Sequence, residues 1–209
     1  MDNLQIARKA LMKTTAAICC LLSMTTAVLL SARVPMAAQT IPIDLAQSLI
    51  TVRVFKTGLF SVFAHDHEIR APLSAGSITL APNASVEFVV PTAKMVVLDP
   101  KLAADKRAEV QETMLGPKVL DVQRYPEIRF RTTQANAAGQ GRWIVDGELT
   151  IRQETHPVRV TAEVAEDGSY RGAINIRQKD FGIQPISLAG GTIKIKDEIR
   201  IEFRVVAAE

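Results

Sequence analysis

From Ile193 to Val205 the chain alternates almost without fault. Ile193, Ile195, Ile199, Ile201, Phe203 and Val205 fall on one parity, and Lys194, Lys196, Glu198, Arg200, Glu202 and Arg204 on the other. Period 2 predicts a strand with one dry and one wet face, and a run of this length spans roughly 40 Å. Asp197 is the one polar residue on the dry parity. It is expected to be an interior carboxylate with an arginine partner or a ligand hydroxyl, unless a bulge changes the strand's face there.

The same alternation recurs upstream. It predicts strands over Ile43–Phe55, Leu59–Ile69, Leu73–Leu80 and Ser85–Val90, then again from Glu127, through Trp143–Ile151, Val158–Val164 and Gly172–Ile176. Asp167-Gly168 reads as a hairpin turn and Ala189-Gly190-Gly191 as the link into the last strand. One stretch differs. Lys101–Leu115 is rich in helix formers, with Asp99 placed to cap it, Pro100 at its first position and Gly116-Pro117 to end it. The expected fold is mainly β: a single antiparallel closed barrel of about eight strands, with one helix inserted mid-chain as a lid or plug. Such a barrel encloses an apolar interior.

The first 38 residues stand apart. Arg8, Lys9 and Lys13 precede the uncharged stretch Thr14–Ala32, and Arg33, Pro35, Ala37 and Ala38 follow. This is the pattern of a signal peptide cleaved after Ala38, and it directs the remainder to the periplasm or outside the cell. An uncleaved anchor is the competing reading, weakened by six Thr or Ser within that stretch. Removing residues 1–38 leaves 21 of the 25 basic and 21 of the 22 acidic residues, so the excess of positive charge belongs to the leader. A neutral domain gives no ground for a nucleic-acid partner. Cys19 and Cys20 leave with the leader, which removes disulfides and thiol chemistry from residues 40–209.

Three blocks carry a family resemblance together with the closing strand. They are Leu120–Phe130, then Val145–Ile151 with Thr155-His156-Pro157-Val158, then Arg177–Ile183; Lys196-Asp197-Glu198-Ile199 completes the set. In this order and spacing, across Leu45 to Ala207, the chain resembles the YceI-like family. Two departures stand out: Gln153 sits where members usually have a glycine, and Ala64-His65-Asp66-His67-Glu68 replaces the usual pattern after the second strand. The resemblance implies a lipocalin-like barrel holding a long isoprenoid, such as a polyprenol or a quinone tail, without catalysis.

Phe60, Phe63, Phe88, Phe130, Trp143 and Phe181, with Val90, Val145, Leu149 and Ile199, are the candidate ligand wall. The same side chains would equally make an ordinary packed core, because both demand apolar residues. His65 and His67 would share a strand face and could hold a metal with His156, Asp66 or Glu68 as third ligand; the alternative is a polar strand end or a head-group contact. No nucleophile elbow accompanies them, so no catalytic residue is assigned. The function read from the sequence is an exported carrier or store for an isoprenoid or similar amphiphile, with no cofactor beyond that bound lipid. It has no stable membrane insertion once the leader is cut, and a homodimer is possible. A metal-binding barrel built on His65 and His67 and a protein-interaction scaffold with a filled core are the alternatives.

Overall fold

A computed structural model of the chain describes residues 38–57, 66–188 and 193–209. The signal peptide, the turn at Gly58, Phe60, Phe63, His65 and Ala189-Gly190-Gly191 lie outside the described residues. Twelve strands are formed among the described residues: β1 (Thr40–Pro42), β2 (Leu49–Thr57), β3 (His67–Ala71), β4 (Ala75–Thr79), β5 (Ser85–Pro91), β6 (Val96–Val97), β7 (Glu127–Ala137), β8 (Arg142–Ile151), β9 (Glu154–Val164), β10 (Tyr170–Arg177), β11 (Ser187–Leu188) and β12 (Ile193–Val205). One α-helix, α1 (Ala104–Leu115), stands between β6 and β7.

Eleven strands form one path in the order β1-β4-β5-β7-β8-β9-β10-β12-β2-β3-β6, and β11 adds to β12. Every pairing is antiparallel. The expected closed barrel of about eight strands is therefore corrected. There are more strands, and the end strands β1 and β6 do not pair, so the sheet is a half-barrel. Two links tie distant strands of the path instead. Residues 72–74 alone join β3 to β4, near opposite ends of the path, which limits that gap to about 14 Å. At the rim, Ile43 bridges Ala207 and the Asp44 N–H donates to the Val206 carbonyl at 2.8 Å.

The expected strand Ile43–Phe55 is broken for a local reason. Asp44 accepts the Ala46 and Gln47 N–H groups at 2.9 and 3.0 Å, which folds residues 44–48 into a turn. Farther on, β12 keeps the predicted span and its wet face carries cross-strand charge pairs. Arg53 on β2 reaches Glu202 at 3.0 Å and Glu68 at 2.8 Å, and Arg159 holds Asp146 at 2.7 Å. Reached by solvent and screened by it, such pairs add little to stability.

The helix starts later than the sequence suggests. Its N-cap is Ala103, with no side-chain cap, because the Asp99 carboxylate is engaged elsewhere. Gln111 ties the helix to β6: it accepts the Val97 N–H at 2.7 Å and donates to the Met95 carbonyl at 2.8 Å. This leaves Met114 buried against Ile69, Val97 and Leu120.

The β8–β9 hairpin turns on Arg152 and Gln153, both at positive φ (51° and 68°). Side chains tolerate this region poorly, whereas glycine does not resist it. Gln153→Gly is expected to raise stability by about 0.5–1 kcal/mol in urea denaturation. Arg152 is better compensated, since its guanidinium lies 5.4 Å from the centre of the Tyr125 ring and donates to the Gly182 carbonyl at 3.1 Å.

The β9–β10 turn depends on one carboxylate. Asp167 accepts hydrogen bonds from Ser169, Arg204 and Arg171, which hold its carboxyl well below the usual range. The stabilisation is present above the unfolded-state pKa near 4 and is lost as pH falls below it toward the native value. Asp167→Asn should therefore shrink the difference in denaturation midpoint between pH 6 and pH 2.5.

Candidate apolar ligand cavity

The inward parity of the strands builds one wall. On β8 Trp143, Val145, Gly147, Leu149 and Ile151 alternate with Ile144, Asp146, Glu148 and Thr150, and the inward set is the less exposed. Two glycines on this parity make room for rings. A Cβ on Gly147 would lie 2.6 Å from the Phe130 ring, and one on Gly172 would lie 2.6 Å from Phe203, so both rings lie against the sheet itself. Phe88 stacks on Phe130 with centroids 5.3 Å apart.

The space inside is not filled. It is a cavity of about 490 Å³, and among the described residues no charged side chain lines it. A packed core would bury every inward side chain, yet Val52, Phe88, Trp143, Ile174, Ile201 and Phe203 remain only half-buried. They keep that exposure because they face the void. This resolves the ambiguity between packed core and lined channel left by the sequence. Met114, Val119 and Leu120 of the helix and its exit complete the wall.

Phe88, Val90, Phe130, Trp143, Val145, Leu149, Phe181 and Ile199 all line this cavity; Phe60 and Phe63 lie outside the described residues. Sequence reasoning missed Val52 and Val54 on β2, Ile174 and Ile176 on β10, and the helix residues. The strand residues carried the signal of parity, whereas Met114 and Leu120 carried none, since the helix shows only a partial apolar stripe.

Polar groups gather at one end. Phe181, 2% exposed, sits in a short 3-10 turn over Gln178–Phe181 and meets the His156 ring edge-on, with centroids 5.0 Å apart. Asp197 fastens this turn. It lies where the β12–β2 register shifts between Ile195 and Ile199, and it accepts the Lys179 N–H at 2.9 Å, with Arg177 at 3.8 Å. The expected interior carboxylate is thus a clip at a strand irregularity, and its nearest partner is a backbone N–H rather than an arginine. Gln178 donates to the Lys196 carbonyl at 2.8 Å. His67 bonds through Nδ1 to Asp99, and the other Asp99 oxygen accepts the Glu68 N–H at 2.8 Å. His156, engaged with Phe181, is not gathered with His67; among the described residues no three metal-ligating side chains come together.

A family model described as the YceI-like domain matches residues 42–207. The chain belongs to the YceI-like family. Relatives include a UPF0312 protein of Vibrio cholerae, 25% identical over 117 residues, covering 52% of this chain and 60% of that protein. A second, from Azotobacter vinelandii, is 26% identical over 111 residues, covering 48% of this chain and 58% of its own length. The matched part thus spans less than two thirds of these relatives. Among solved structures, Burkholderia cenocepacia BcnA superposes with a TM-score of 0.62 at 20% identity, over 80% of this chain and 99% of that one. A polyisoprenoid binding domain from Saccharophagus degradans superposes at 0.52 and 9% identity, over 78% and 95%. At these identities the likeness is one of fold, and it covers the YceI-like half-barrel and its inserted helix.

Proposed function

We propose that this YceI-like protein is an exported, non-catalytic carrier or store that holds the long apolar tail of an isoprenoid or similar amphiphile in its cavity. The observation that carries the reading is the cavity of about 490 Å³, which no charged side chain among the described residues lines. Its size lies within the range of small-molecule sites. Burying a tail there contributes about 25 cal/mol per Å² of apolar surface before ordering costs, so affinity should follow tail length more than head group. The fold shared with a domain described as polyisoprenoid binding supports the same ligand class. The leader pattern of residues 1–38 supports export to the periplasm or beyond, and the absence of net charge in the remainder gives nucleic acid no purchase.

A displacement series tests this. The chain is loaded with an environment-sensitive fluorescent fatty probe and titrated with prenyl alcohols of two, four and six isoprene units. Affinity should rise with each added unit. Affinity that ignores length, or no displacement by any of them, would remove the tail-binding reading and favour a protein-interaction scaffold.

A further inference from the structure

One buried polar pair is left unused by a purely apolar carrier. His67 shares the parity of Ile69 and Ala71 on β3 and pairs across the ladder with Val54. Ile69, Ala71 and Val54 all line the apolar cavity. His67 is therefore the residue at which that wall turns polar. Its side chain is 11% exposed and that of Asp99 3%. Among the described residues its Nε2 has no hydrogen-bond partner, and among them no sealed polar side-chain atom lacks one. Nε2 is thus accessible, and His67 lines a cleft of about 310 Å³ in which the charged Arg53, Asp66, Glu68, Asp99 and Lys101 stand beside the apolar Phe55, Pro100 and Leu102.

The chemistry of the pair fixes what it can recognise. A carboxylate only accepts hydrogen bonds, so Asp99 requires the proton of a neutral imidazole to sit on Nδ1 and leaves Nε2 an acceptor. Of the cleft's two cations, Arg53 is already held by Glu68 and Glu202, and Lys101 is exposed to solvent. Asp66, Glu68 and Asp99 would oppose an anionic head. We infer that His67 is a head-group site, its Nε2 accepting the hydroxyl proton of a long-chain alcohol whose tail occupies the cavity. Asp99 is the positioning residue. The inference rests on the tail-binding reading and adds to it a neutral, hydrogen-donating head.

The test compares geranylgeraniol, its methyl ether and its monophosphate on the full chain at pH 8. The ether keeps the tail and loses the donor. The wild type should bind the alcohol roughly five- to tenfold more tightly than the ether, as one hydrogen bond allows, and more tightly than the phosphate. His67→Leu should erase that preference while leaving ether affinity intact, which also reports that the variant is folded. His67→Gln, whose amide oxygen accepts, should keep part of it. Asp99→Asn is the most specific variant. Its Oδ1 can keep the Glu68 N–H while its amide donates to Nδ1, turning Nε2 into a donor, so the alcohol should lose its advantage over the ether. Equal wild-type binding of alcohol and ether, tightest binding of the phosphate, or parallel weakening of both ligands by His67→Leu would overturn the head-group site alone. Failure of all three ligands to bind would overturn the tail reading and this site together.

Discussion

Replacing Ile174 by tryptophan should weaken tail binding at least a hundredfold while costing at most about 2 kcal/mol of stability. Ile174 lies on β10 opposite Ile201 of β12, and both face the cavity half-buried. An indole there needs no backbone shift, because the space it enters is already empty. It removes the space a tail requires. Excluding about 200 Å² of apolar tail from its site forfeits about 5 kcal/mol at 25 cal/mol per Å², well over a hundredfold in Kd. Probe displacement measures the affinity and urea denaturation the stability. Unchanged affinity in a folded variant would mean that the tail binds elsewhere.

Phe181→Ala is expected to cost about 3–5 kcal/mol of stability. The side chain is among the most buried in the chain, and its ring packs with Leu149, Ile151, Ile176 and Ile183 and against His156. The turn that carries it is fixed at its start, by Gln178 to the Lys196 carbonyl and by Asp197 to the Lys179 N–H. With its backbone clipped, the turn cannot collapse inward to refill the space. Urea denaturation of the variant checks this; a loss under 1 kcal/mol would show that the turn relaxes despite its clips.

Much of this was legible in the sequence, for one physical reason. Where a strand has one dry face, parity names the wall, and Trp143, Val145 and Leu149 on β8 and Ile199 on β12 follow from alternation alone. What parity cannot express is how far the sheet curls, which is why a closed eight-stranded barrel was expected in place of a half-barrel joined by residues 72–74 and the Ile43–Ala207 bridge. Parity is equally silent on whether inward side chains meet; here the half-exposure of Ile201 and Phe203 inside the sheet supplies the answer. Asp99 looked like a helix cap because a cap and a buried histidine partner demand the same acceptor from the same residue type. Only the approach of β3 decides between them. The absent glycine at Gln153 was visible as a departure, but its meaning, a side chain held at a φ of 68°, needed the backbone.

The central claim is that the cavity takes up a long apolar tail, and native mass spectrometry of the chain from an exporting bacterial host, purified without detergent, tests it most directly. The account predicts an added mass of several hundred daltons that is extracted into organic solvent and is missing from the Ile174→Trp variant. The same added mass retained on that variant, or a bare polypeptide that stays bare after incubation with prenyl alcohols, would contradict it.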